Sequence, residues 1–150
     1  MIEIKRTNSE NQDFIALVKF LDADLKIRDG DEHDFFNQYN KLDTIKNVVL
    51  AYLDGHVAGC GAFKLYENTT IEIKRMFTTA EARGNGIGTL TLSELEKWAL
   101  AEGFTHAILE TGYRMSEAIG LYTKSGYEQI PNYGQYVHVD ASRCFKKELK

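Results

Sequence analysis

Apolar and polar positions alternate along much of this chain, and the alternation changes period several times. Residues 2–6 read Ile-Glu-Ile-Lys-Arg, a two-residue period that predicts a strand. Asn8 or Ser9 can then cap a helix that carries Phe14, Leu17, Val18 and Leu21 on one face. Asp29-Gly30-Asp31 breaks it, and residues 32–40 read as a second short helix with Phe35, Phe36 and Tyr39. Residues 48–53 and 57–66 form two strands joined by Asp54-Gly55, a strong hairpin signal. Glu67-Asn68-Thr69 turns the chain into a third strand over residues 71–77. A helical period runs from residue 87 to 101 and stops at Glu102-Gly103. A strand over 106–111, a helix over 116–124 capped by Ser116, and strands over 127–130 and 143–149 complete the chain. The order predicts a mixed α/β fold with a mostly antiparallel sheet. Without an internal repeat or linker, residues 1–150 read as one domain.

Composition narrows the class. With 43% hydrophobic and 27% charged residues the chain resembles a globular protein, not a disordered one. A net charge of −4 with no basic stripe argues against a nucleic-acid partner. No apolar run approaches the ~20 residues of a membrane span, and the N-terminal pattern is strand-like, so a cytoplasmic location is expected. Cys60 and Cys144 then read as reduced, buried thiols. Four histidines are scattered without ligand spacing, so no metal is expected.

The strongest chemical signal is Arg83-Gly84-Asn85-Gly86-Ile87-Gly88, at the start of the 87–101 helix. Glycines let backbone N–H groups crowd into one concavity, and the helix adds its unpaired N–H groups and positive dipole end. Such a site suits a phosphate or pyrophosphate. The P-loop is excluded because the chain has no Gly-Lys pair. The dinucleotide fingerprint fails on spacing: the order here is Gly-x-Gly-x-Gly, past the middle of the chain. A glycine-rich turn without ligand is the plain alternative.

Arg83-x-x-Gly86-x-Gly88 resembles the Arg/Gln-x-x-Gly-x-Gly/Ala signature of the GNAT superfamily of acetyl-CoA-dependent N-acyltransferases. Ala118-Ile119-Gly120-Leu121-Tyr122, followed by Gly126-Tyr127, resembles that family's Ala-x-x-Leu-Tyr-x-x-x-Gly-Phe/Tyr segment. Residues 72–77 resemble the strand that leads into its glycine loop. The resemblance implies a GNAT fold with helices on both faces of the sheet. It also implies that the strand before the loop and the strand after its helix splay apart around the thioester arm of acetyl-CoA. Main-chain groups of Met76, Phe77 and Thr78 would meet the pantetheine arm. Arg83, Gly84, Asn85, Gly86, Ile87, Gly88 and Thr89 would meet the pyrophosphate. Tyr122 would lie near the sulfur and protonate the leaving thiolate, a phenol near pKa 10 suiting that task. Plain core packing beside Ala118 and Leu121 is its alternative.

Glu72, eleven residues before Arg83, matches a position where several family members place a catalytic glutamate, so it is the candidate base. It reads equally as a surface carboxylate paired with Lys64 or Lys74. Glu110 is the second candidate. Many members carry asparagine three residues before the helix alanine; Met115 stands here, with Arg114 or Ser116 as possible replacements. Tyr133 and Tyr136, in an aromatic loop over residues 130–136, are candidates to line an acceptor pocket or to pack as ordinary loop residues. Asp22, Asp24, Asp29, Asp31, Glu32 and Asp34 form an acidic block that reads as a solvated surface, with electrostatic attraction of a cationic amine as the alternative. The expected activity is transfer of acetyl from acetyl-CoA to a primary amine of a small molecule, amino acid or peptide. The alternatives are a silent acyl-CoA-binding module and, more weakly, a nucleotide-binding domain. A homodimer is compatible with a protein of this type.

Overall fold

A computed structural model describes residues 1–29 and 45–150, with side chains from residue 24 to 29 left aside. Seven strands and three α-helices occur among these residues: β1 (Ile2–Thr7), α1 (Gln12–Asp29), β2 (Asn47–Leu53), β3 (His56–Glu67), β4 (Thr70–Thr78), α2 (Ile87–Ala101), β5 (His106–Gly112), α3 (Ser116–Lys124), β6 (Glu128–Ile130) and β7 (Ser142–Glu148). They form one sheet in the order β1-β2-β3-β4-β5-β7-β6. The short helix expected over residues 32–40, with Phe35, Phe36 and Tyr39, and most of the acidic block lie outside the described residues.

Alternation along the strands decides which face each helix covers. Val48, Leu50, Cys60 and Ala62 meet Phe14, Leu17 and Val18 of α1. Val49, Phe63, Ile71, Ile73, Ala107, Leu109 and Phe145 point the other way and pack on Leu92, Leu95 and Ala99 of α2 and Tyr122 of α3. The sheet is thus buried on both faces, which gives β2 its nearly unbroken apolar run. The β2–β3 turn places both Asp54 (φ 52) and Gly55 (φ 84) in the left-handed region, the geometry that an Asp-Gly hairpin favours.

Two caps differ from expectation. Asn11, not Asn8 or Ser9, caps α1: its Oδ1 accepts from the N–H groups of Asp13 (2.8 Å) and Phe14 (3.2 Å). Ser9 instead bonds the backbone of Ile45 in both directions. In α3 the capping position is Met115, one residue before Ser116, and no side chain caps the helix.

Strand β4 is irregular along both edges. It pairs β3 through a bulge, with Arg75 at φ 59 between the Cys60–Phe77 and Ala62–Lys74 pairs. On its other side β4 runs parallel to β5 for three pairs, Thr70–His106, Ile71–Ala107 and Glu72–Ile108, and pairing then stops. Beyond that point the two strands diverge, and a cavity opens between them.

Candidate active site

The cavity between the diverging strands has a volume of about 100 Å³. Glu72, Lys74 and Arg75 line it from β4, Glu110 from β5, Tyr122 from α3, and Tyr136 from the loop before β7. A second cavity, about 400 Å³, lies beneath the glycine loop. Met76, Phe77 and Thr78 of β4 line it, with Arg83, Gly84 and Gly86 of the loop and Ile87, Gly88 and Thr89 of the first turn of α2. The two cavities share Leu21, Met76, Met115, Ala118 and Tyr122 as walls and so lie side by side.

The loop is built for close approach to a ligand. Gly84 (φ 86) and Gly86 (φ 78) are left-handed, and a Cβ at either would meet no atom within 4 Å. That leaves an open concavity over a helix start whose N-cap, Gly86, supplies no side-chain hydrogen bond. The Asn85 side chain turns back to the Ala82 carbonyl (2.9 Å) and does not line the cavity. A phosphate-bearing ligand fits these groups.

In the cavity between the strands, Glu72 is 4% exposed, and Tyr133 donates a 2.7 Å hydrogen bond to its Oε2. A surface carboxylate it is not. Glu110 Oε2 accepts from the Ser142 hydroxyl at 2.7 Å. Tyr133 itself lines neither cavity; it stands behind Glu72, edge-on to Tyr66 and Tyr136. Burial raises the Tyr133 pKa, and the charge and hydrogen bond of Glu72 add to the effect. Tyr136 is raised by burial first, then by Glu110 and Glu72.

Tyr122 is 5% exposed, and burial, then the charge of Glu110, raises its pKa. The expected match between a phenol near 10 and a thiolate is therefore corrected. Burial thus favours the neutral phenol over the phenolate. Neither cysteine offers a nucleophile: burial pushes the thiol of Cys60 up to about 12 and that of Cys144 up to about 11.

Some lining residues carry little signal in the sequence. Lys74 reads there as a partner for Glu72 and Leu21 as core, and neither reading points to a cavity. Strict alternation puts Arg75 in phase with the buried Ile71 and Ile73, and a cation at an inward position is the one sequence trace of the bulge. Met115 lines both cavities, whereas the Arg114 Nε–H donates to the Tyr113 hydroxyl at 2.9 Å. Among the described residues no group of three His, Cys, Asp or Glu side chains is placed to hold a metal ion, and no helix is long and apolar enough to cross a membrane.

Comparison with known proteins gives the same picture. A sequence profile of the acetyltransferase (GNAT) family matches residues 14–127. An IAA acetyltransferase of Azospirillum brasilense is 38% identical over 102 residues, 67% of this chain and 67% of that protein. A crystal structure from Klebsiella pneumoniae, assigned as an acyl-CoA N-acyltransferase, superposes with a TM-score of 0.84 at 27% identity, covering 100% of this chain and 99% of the other. The paia N-acetyltransferase of Thermoplasma acidophilum, solved with coenzyme A, shares the fold: TM-score 0.73 at 17% identity over 99% of each chain.

Proposed function

Since the chain belongs to the acetyltransferase (GNAT) family, we propose that it moves the acetyl group of acetyl-CoA onto a primary amine by direct attack in a ternary complex. One observation carries this reading: the loop cavity and the charged cavity adjoin at Tyr122 and Met76, so a donor in one and an acceptor in the other would come together there. The coenzyme A complex of the Thermoplasma neighbour supports the choice of donor.

Acetyl-CoA would supply the thioester, whose carbonyl carbon bonds to the amine nitrogen as its C–S bond breaks. Backbone N–H groups from Gly84 to Thr89 would hold the pyrophosphate, with Arg83 beside them. The edge of β4 beyond Glu72, which β5 leaves unpaired, would take the pantetheine arm through Met76 and Thr78, as an added strand. Glu72 would take one proton from the acceptor's ammonium. A carboxylate has about four acceptor positions, so the bond from Tyr133 does not prevent this. Tyr122 would hydrogen-bond the departing sulfur and pass it a proton. The nitrogen sheds a second proton as the C–N bond forms, and this one replaces the proton lost by Tyr122. The products are then an amide, a free thiol and one proton for solvent.

Thermal stability with and without acetyl-CoA, followed by thiol release over a panel of amines, tests the reading. Ligand at ~100 times its dissociation constant adds about 2.7 kcal/mol to the native state. A shift with thiol released by amines supports acetyl transfer. A shift with no release from any amine favours a silent binding module, and no shift removes the donor assignment.

A further inference from the structure

The loop cavity and the charged cavity adjoin along Leu21, Met76, Met115, Ala118 and Tyr122. In the acetyl-transfer reading the sulfur would lie beside Tyr122 and the amine at Glu72, so the carbonyl carbon would stand between them, at this shared wall. That carbon bears one more group, the acyl tail. Of the five wall residues only Tyr122 carries a hydroxyl; the other four side chains are apolar. A tail set against them meets hydrocarbon and thioether, which suits an alkyl chain and penalises a carboxylate left without a partner.

The four apolar walls differ in how far they can yield. Ala118 has only a methyl group. Met115 is unbranched and turns about three bonds, so it adapts to what lies against it. Met76 is already drawn back: a Cβ at Gly61 would lie 2.4 Å from its Sδ, so the thioether occupies room that glycine leaves on β3. Leu21 is branched, 5% exposed and fixed on α1 one turn beyond the buried Leu17, which leaves it the stiffest of the four. Resting on the acetyl-transfer reading above, we propose that Leu21 sets the length of the acyl group, confining the donor to a short alkyl chain of two or three carbons that ends against its side chain. Leu21 touches no bond that forms or breaks. It determines which acyl group fits.

Acetyl-CoA and butyryl-CoA, offered with the same amine and followed by thiol release, test this. The expected kcat/KM favours acetyl by about ten- to a hundredfold, the scale of discrimination that overfilling a packed site gives. Leu21→Ala removes three carbons where butyryl adds two, and should bring the ratio near one. Leu21→Val, a smaller cut, should move it part of the way and serves if the alanine variant does not fold. Leu17→Ala deletes the same atoms one turn earlier, where the side chain packs on the sheet and lines neither cavity, and should leave the ratio as it is. Because both rates come from one protein, the ratio does not depend on the fraction folded. Succinyl-CoA, as long as butyryl-CoA but ending in a carboxylate, should be slower than butyryl-CoA with Leu21→Ala, and the reverse order overturns the alkyl preference. Equal or faster turnover of butyryl-CoA by the unaltered protein overturns this inference and leaves acyl transfer standing. So does a ratio that the Leu21 variants leave unchanged, or that Leu17→Ala shifts as far. Acetyl-CoA binding with no thiol released from either donor by any amine overturns both.

Discussion

Tyr133 reaches across 61 residues of sequence to donate a 2.7 Å hydrogen bond to Glu72, a buried carboxylate of the cavity between β4 and β5. This contact fixes where the Glu72 carboxylate stands in the cavity. Tyr133→Phe removes the donor and leaves the ring contacts with Tyr66 and Tyr136 in place. Turnover should fall about tenfold, with the acetyl-CoA dissociation constant and the melting temperature little changed. Steady-state rates beside a binding titration decide it. An unaltered rate would argue that Tyr133 only packs.

Tyr122 makes a separate prediction because both cavities touch it. Tyr122→Phe keeps the ring that packs on Tyr127 and Phe145 and deletes the hydroxyl. The rate of the chemical step should drop about a hundredfold, the low end for a lost general acid, with the acetyl-CoA dissociation constant little changed. Single-turnover kinetics beside a binding titration separates the two quantities. Unaltered chemistry would move Tyr122 from the mechanism to the core.

Much of this site is legible in the chain, and the remainder is hidden for definite reasons. Residues 84–89 announce themselves because glycine spacing and a helix start are local properties. The strands are legible because Ile71 and Ile73 repeat at the period that a sheet imposes, and Val48, Val49 and Leu50 form a short apolar run. Asn11 is hidden as a cap because Asn8, Ser9 and Asn11 are all capable, and the choice among them falls to the backbone path through Ile45. The gap past Glu72 has no residue signature, since it is the point where two distant strands cease to pair. The Glu72–Tyr133 contact is of the same kind. Each partner is a candidate from sequence, but their meeting depends on how the loop before β7 folds over the sheet.

The glycine loop can be tested through its backbone. Gly86 holds φ 78 at the N-cap of α2, so Gly86→Ala forces an L residue into the left-handed region although its Cβ meets nothing within 4 Å. Stability should fall by about 1 kcal/mol and acetyl-CoA affinity should fall with it, as the loop relaxes away from its concavity. Gly120, inside α3 and also with open space at its Cβ, is the control. Gly120→Ala should instead add up to about 1 kcal/mol. Denaturant midpoints and acetyl-CoA titrations of both variants check the pair. Equal effects would show that backbone conformation is not what the loop requires.

Alkaline pH provides the last test, and it addresses the buried aromatic groups together. Burial raises the pKa of Tyr122, Tyr127 and Tyr136 above the ordinary 10.0. Their stabilising contribution is fully present below pH 10.0. As pH rises further the unfolded chain loses tyrosine protons that the native protein keeps, so stability is lost. Each such group costs up to about 1.4 kcal/mol per pH unit in that range. Lys74 works oppositely: its native pKa lies below 10.5, so stability rises with pH just beneath that value. One lysine is outnumbered by three buried tyrosines, and the net slope above pH 10 should be steeply downward. Urea midpoints at about pH 8 and about pH 11 should differ accordingly, with part of the tyrosinate absorbance withheld until the chain unfolds. Absorbance that reaches its full value before unfolding would mean that these phenols are open to water, and Tyr122 would lose the desolvated setting on which its proposed role at the sulfur depends.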